Sequence, residues 1–225
     1  MTVVPSPSLP PHNASSLEVR WLGRQPYQRV HAEQLARVDA IAGGQASEIA
    51  LLVEHDPVIT VGRRREALGN VLDPGDVPVV EVERGGDATY HGPGQLVGYP
   101  LLRLGPGEQD LHAHLRRLEG ALIAVLAAYG LEAGRCQGQS GVWIGPRKVA
   151  SVGVAVRRWV TYHGFALNVD TPLAPFHRLN PCGLPAGVMT TMAEEMGGAC
   201  PGLGEVARAL LEALPGALNR AGRAR

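Results

Sequence analysis

The sequence has few aromatic residues, few cysteines, no net charge and no long apolar run, and each shortage removes a class of function. Aromatics make up 4% of the 225 residues, too few for a platform on which nucleic-acid bases stack. Basic and acidic residues number 21 each, so the formal net charge is zero. No global field draws the chain to nucleic acid or to an anionic membrane. No apolar run approaches the roughly 18–20 residues needed to cross a bilayer, and no membrane role is expected. Three cysteines, Cys136, Cys182 and Cys200, are too sparse for a disulfide scaffold or a CxxC metal site. A reducing cytoplasm is the expected compartment. The opening stretch MTVVPSPSLPPHNASS lacks the basic and apolar regions of a secretory signal and is rich in proline and serine, so residues 1–16 are expected to form a disordered tail.

What is present fits one globular domain, with 45% hydrophobic and 19% charged residues. Alternation predicts a first strand over 17–22, and helical spacing predicts a helix over 27–41 that Gly43-Gly44 ends. Residues 49–53 and 58–61 read as a hairpin turned by His55-Asp56-Pro57, and 77–82 and 95–102 as strands. Leu111, Leu115, Leu118, Leu122, Val125, Leu126 and Tyr129 mark a long amphipathic helix. On it His112 and His114 point to different faces, so they are no metal pair, and both are read as exposed. Strands follow at 141–145, 147–157 and 160–169, then an irregular proline-rich stretch over 170–187. A last helix over 203–218 is bent or ended by Pro215. Strands and helices mix without regular βαβ units, which predicts an α/β (α+β) domain with a mixed, largely antiparallel sheet flanked by helices. There is no GxGxxG between strand and helix and no GxxxxGK[ST] loop, so neither a dinucleotide nor a P-loop nucleotide site is expected.

The chemistry concentrates in Arg84-Gly85-Gly86-Asp87-Ala88-Thr89-Tyr90-His91-Gly92-Pro93-Gly94-Gln95. Its glycines serve either a long connection between two strands or a cradle in which a ligand lies against backbone N–H groups. The interleaved polar side chains favour the cradle, because a plain turn has little use for them. Two further residues have paired readings. Cys182, between proline and glycine, is either a small buried hydrophobe or a nucleophile. Lys148, in Arg147-Lys148-Val149-Ala150-Ser151-Val152-Gly153, is either an exposed lysine at the start of a strand or a proton carrier whose stem runs into a desolvated pocket. Cys136 and Cys200 lack any surrounding motif and are read as structural. Arg63, Arg64 and Arg65 could meet a phosphate or carboxylate, or form a solvated loop.

The run RGGDATYHGPGQLVGYPLL resembles the signature of the octanoyl-acyl carrier protein:protein N-octanoyltransferase family, also called lipoyl(octanoyl) transferase. The Lys148-Val149-Ala150-Ser151-Val152-Gly153, His163-Gly164-Phe165-Ala166-Leu167-Asn168 and Pro181-Cys182-Gly183 blocks are similar to the rest of that pattern, in the same order. The resemblance implies the catalytic fold of the biotin and lipoate protein ligases, as one catalytic domain over 17–220. It implies transfer of an octanoyl group from octanoyl-acyl carrier protein to a lysine on a lipoyl domain. Cys182 would carry the acyl group as a thioester and Lys148 would assist it. Arg84, Gly85, Gly86, Asp87, Ala88, Thr89, Tyr90 and His91 would line the acyl site, with Ser151, Val152, Gly153, Gly164, Phe165 and Ala166 as its other walls. The acceptors it implies are lipoyl domains of 2-oxoacid dehydrogenase E2 subunits and glycine cleavage H protein. No cofactor or metal is implied. Arg63, Arg64, Arg65, Arg157 and Arg158 are candidate contacts for the acidic carrier protein. The alternative is an ATP-dependent lipoate or biotin protein ligase, whose arginine-glycine loop Gly62-Arg63-Arg64-Arg65 superficially resembles. Such a ligase has no use for a nucleophilic cysteine.

Overall fold

The computed structural model describes residues 17–218, with the side chain of Cys182 outside the described atoms. The tail expected over 1–16 lies outside the described residues. Among the described residues, nine strands build two sheets, and four α-helices accompany them. In the large one, β1 (Glu18–Gln25) runs parallel to β2 (Ile49–His55). Then β6 (Gln95–Leu101), β9 (Val160–Asn168), β8 (Arg147–Arg157) and β7 (Val142–Ile144) follow in antiparallel order. In the small one, β3 (Val58–Val61) sits between β4 (Val79–Glu81) and β5 (Ala88–His91).

Strand β2 shows why the large sheet is the core. Ala50 and Leu52 point to one face, where they pack with helices α2 (Leu111–Ala128) and α4 (Leu203–Leu218). Ile49, Leu51 and Val53 point to the other, under helix α1 (Tyr27–Ala42). A strand covered on both faces reads as an unbroken apolar run rather than an alternating one. The short helix α3 (Met192–Glu195) starts at Thr191, whose hydroxyl accepts from the Glu194 amide. Helix α2 starts at Asp110, whose carboxylate accepts from the Ala113 amide. Its buried stripe runs His114, Leu118, Leu122 and Val125. His114 is therefore buried at 1% exposure, not exposed as expected, while His112 is exposed. Leu111 is exposed, so the buried stripe begins at His114, one turn N-terminal to Leu118, and not at the leucine that the apolar spacing marked.

The expected hairpin over 49–61 does not form. β2 already has β1 and β6 as neighbours, so neither of its edges is free, and the turn at Asp56-Pro57 sends β3 into the small sheet. The glycine-rich stretch is also not one loop. Its middle, Ala88–His91, is strand β5, leaving a turn over 84–87 and a second over 92–94. The strand expected over 77–82 shortens to β4. The hairpin of β8 and β9 turns through Arg158 and Trp159, both left-handed at φ 53° and 59°. That pair of positive φ values matches the twist of the flanking strands. The irregular stretch contains three short 3₁₀ turns, Ala174–Arg178, Pro181–Gly183 and Ala186–Val188.

Gly164 marks the tightest contact of β9 with β6: a Cβ there would lie 2.2 Å from the Gly98 carbonyl oxygen. The obstacle is backbone, so the strands would have to part. Gly164→Ala is expected to lower the unfolding free energy by about 1–3 kcal/mol, read from denaturant melts.

Candidate active site

A cavity of about 490 Å3 opens where the two sheets meet. One wall is the turn over 84–87 followed by β5. The facing wall comes from Ser151, Val152 and Gly153 of β8 and Gly164, Phe165 and Ala166 of β9. Tyr27, Val97, Tyr99, His163 and the loop Gly138-Gln139-Ser140 complete it, with Arg63 and Arg64 beside the turn.

The pleat of β5 sorts the residues expected at the site. Thr89 and His91 face the cavity, as Asp87 does just before the strand. Ala88 and Tyr90 point the opposite way, into a small core with Ile59, Phe176, Leu179 and Met189. Tyr90 meets Phe176 edge-on at 5.5 Å. These two do not line the cavity, whereas the other residues expected as its walls all do.

Arg84 shapes the wall more than it offers charge. Its guanidinium donates to the Thr60 carbonyl (2.8 Å), the Thr60 hydroxyl (2.9 Å) and the Asp87 carbonyl (2.7 Å). It thereby ties the turn to β3. Gly85 donates its N–H to the Val154 carbonyl at 3.1 Å, which presses the same turn onto β8. Gly153 permits this approach, since a Cβ there would lie 3.2 Å from the Gly85 oxygen.

Hydrogen bonding fixes the His91 tautomer. The Gln95 amide donates to the Tyr90 carbonyl and to Asn168 Oδ1, so its oxygen faces His91 Nδ1 at 2.7 Å. Nδ1–H must be the donor there, and Nε2 accepts from the Thr60 hydroxyl at 3.3 Å. Burial, then the neighbouring His55, hold the His91 pKa down to about 3. His55 is arranged alike: Nδ1–H donates to the Gln25 carbonyl and Nε2 accepts from the Tyr99 hydroxyl. Burial lowers its pKa to about 4. Both imidazoles are neutral near pH 7, and the cations at the cavity are Arg63, Arg64 and Arg84.

Asp87 connects the cavity to the segment that bears Cys182. It is 2% exposed. Its Oδ1 accepts from Asn70 Nδ2 at 2.7 Å and from the Ala88 N–H, and its Oδ2 faces the Arg64 guanidinium at 3.6 Å. Asn70 in turn accepts the Asn180 N–H on its carbonyl at 2.8 Å. The turn Pro181–Gly183 therefore starts one residue beyond Asn180, which Asn70 links to Asp87 on the cavity wall.

Lys148 is the chain's single lysine among 21 basic residues. It does not line the cavity, yet it is 1% exposed, with Nζ 5.6 Å from the centroid of the Trp143 ring. The exposed reading of this lysine is therefore excluded. Its carbonyl accepts the Thr190 N–H at 3.0 Å. Cys200 is half-buried, with its thiol toward the Val169 carbonyl at 3.5 Å, and burial raises its pKa. Cys136, also half-buried, has its thiol 3.9 Å from the Gln137 carbonyl.

Sequence reasoning did not select Tyr27, Val97, Tyr99, His163 or the loop 138–140. Tyr27 fell on the apolar stripe of a helix, and Val97 and Tyr99 within an apolar strand. Nothing local marks such positions as cavity walls.

Comparison with known proteins gives one consistent picture. The family model described as "Lipoyl protein ligase A/B catalytic domain" matches residues 26–215. A protein of Geobacter metallireducens named octanoyltransferase is 49% identical over 199 residues, 88% of this chain and 91% of that one. A protein of Pyrobaculum aerophilum named probable octanoyltransferase is 47% identical over 178 residues, 79% of this chain and 77% of that one. The solved structure of a lipoate-protein ligase A bound with ATP shares the fold at a TM-score of 0.72 and 18% identity, over 91% of this chain and 86% of that one. A biotin protein ligase from Aquifex aeolicus, in complex with biotin and ATP, is more distant, at a TM-score of 0.52 and 15% identity over 89% of this chain and 70% of that one. The expected fold is thus the observed one. Among the described residues no helix is long and apolar enough to cross a membrane.

The buried histidines give the fold a pH dependence. His55 and His91 have folded pKa values of about 4 and 3, below the unfolded value of about 6.5. The unfolded chain binds more protons between those limits. The stability these groups contribute is complete above about pH 6.5 and is lost as pH falls toward 4 and then 3. Each is expected to add a slope of about 1.4 kcal/mol per pH unit in that window. His55→Gln should flatten the pH profile of unfolding free energy by one proton's worth.

Proposed function

The chain belongs to the lipoyl protein ligase A/B catalytic domain family, and we propose that it transfers an octanoyl group from octanoyl-acyl carrier protein to the ε-amine of a lysine on a lipoyl domain. Relatives named octanoyltransferase, at 49% identity over most of the chain, make it an acyltransferase. The catalytic unit is residues 17–220. The compartment is the cytoplasm, in keeping with the free thiols of Cys136 and Cys200. The acceptors are lipoyl domains of 2-oxoacid dehydrogenase E2 subunits and glycine cleavage H protein.

Cys182 is the nucleophile in this reading. Its sulfur attacks the octanoyl carbonyl, the carrier thiol leaves, and the acyl group rests on Cys182 as a thioester. The incoming amine then attacks that thioester, an amide forms and the Cys182 thiol is restored. Exchange between thioesters is nearly isoenergetic and amide formation is downhill, so no ATP is needed. Lys148 takes the proton from the Cys182 thiol and returns it to the leaving carrier thiol. In the second step it takes a proton from the amine. His91 offers no ring N–H to the cavity, because its one N–H donates to Gln95. The developing oxyanion is left to Thr89 and backbone N–H groups, as preorganised donors require.

The observation that carries this reading is the burial of the chain's single lysine. Arginine serves everywhere else, and arginine cannot release its proton at neutral pH. A lone lysine at 1% exposure, on the strand that also contributes Ser151, Val152 and Gly153 to the cavity, suits a proton carrier.

The first test is the intact mass of the protein mixed with octanoyl-acyl carrier protein, without ATP or acceptor. A single hydroxylamine-labile octanoyl adduct that disappears in Cys182→Ser is expected. An octanoyl-adenylate that forms only with ATP and free acid, with no adduct, would make the chain a ligase. Lys148→Met is expected to slow transfer by about 10²–10⁴-fold, while its thermal melt remains cooperative.

A further inference from the structure

Three side chains to which that reaction assigns no role meet at the side of the cavity that His163 lines. His31 comes from α1, Glu83 from the segment just after β4, and His163 from β9. His31 Nε2 lies 3.0 Å and His163 Nε2 3.5 Å from the same oxygen, Glu83 Oε2. One nitrogen or oxygen from each of the three residues lies within 4.8 Å of the others. The two imidazoles stack at 5.4 Å.

His163 is an unusual member of such a cluster. It is 2% exposed, and its Nε2 has no hydrogen-bond partner among the described residues. A buried ring nitrogen left this way is costly. The backbone holds the residue at φ 54°, with its N–H donating to the buried Gln34 side chain at 2.8 Å. A non-glycine residue is strained there, and such strain persists only where the surroundings enforce it. The chain thus directs His163 Nε2, without a well-aligned hydrogen bond, at a carboxylate already engaged by a second imidazole.

We propose that His31, Glu83 and His163 bind one divalent transition-metal ion of the zinc class, with water as the fourth ligand. Two imidazole nitrogens and one carboxylate oxygen form a donor set that such ions take. With metal–ligand bonds of roughly 2.0–2.2 Å, tetrahedral donor atoms sit about 3.4 Å apart. The two distances to Glu83 Oε2 are already close to that. His31 Nε2–H now donates to Glu83. On binding, that proton leaves Nε2, by transfer to Nδ1 or to solvent, and the lone pair goes to the ion. Arg84 opposes a cation nearby, but its guanidinium is fixed on Thr60 and Asp87. His31 and Glu83 keep side-chain exposures of 17% and 33%, which leaves a path for the ion and its water. The ion is structural: it pins His163, which also lines the cavity.

The test is a Co2+ titration of the full chain, stripped with chelator, in a Cys136→Ser/Cys182→Ser/Cys200→Ser background that removes every thiol. One equivalent of Co2+ is expected to bind with visible d–d bands, and Zn2+ should displace it. Glu83→Gln and His31→Gln should each weaken binding by at least about tenfold. No saturable binding to the thiol-free chain would overturn the proposal. So would binding whose affinity is unchanged in both variants. If Glu83→Gln fails to fold, the partly exposed His31→Gln decides alone. A rise in melting temperature with Zn2+ that His31→Gln abolishes separates a built site from loose surface binding.

Discussion

The Gln95 side chain is 1% exposed and uses both its N–H groups and its oxygen across the junction of the two sheets. Its two N–H groups reach Tyr90 of the small sheet and Asn168 of the large one, and its oxygen receives His91. Asn168 then donates to the Thr190 carbonyl, and Thr190 donates its N–H to the carbonyl of Lys148. A buried polar chain of this kind tolerates no gap, since one orphaned member costs about 1–3 kcal/mol. It sets the tautomer of His91, ties β5 of the small sheet to β6 and β9 of the large one, and links them to β8 at Lys148.

Close backbone contact does the complementary task. Glycine at 153 and 164 lets the turn over 84–87 lie on β8 and lets β9 lie against β6. At Gly164 the space that a larger side chain would take is occupied by a neighbouring carbonyl, not by open cavity. The cavity is what remains between surfaces held by these contacts. Its walls combine apolar side chains (Val97, Val152, Phe165) with imidazoles, hydroxyls and backbone, and Asp87 and the arginines supply charge at the turn over 84–87.

Much of this was legible from local pattern. The long helices followed from their apolar spacing, and the site's walls from three short blocks rich in glycine and small residues. Errors arose where a partner far along the chain decides the outcome. The 49–61 hairpin failed because β2's edges are taken by β1 and β6. His114 looked exposed because a polar residue gives no sign that a stripe continues beneath it. Ala88 and Tyr90 sat in the right motif, but a strand within the expected loop turned them away from the cavity by its period of two.

The sequence by itself determined the family, the fold class and the blocks that line the cavity, because motif and periodicity are properties of neighbouring residues. Only the tertiary structure decided that the single lysine is buried, that His91 is a neutral Nδ1–H tautomer, and that His31, Glu83 and His163 converge. Those outcomes depend on solvent exclusion and on contacts between residues as far apart in the chain as His31 and His163, and no local window contains both partners.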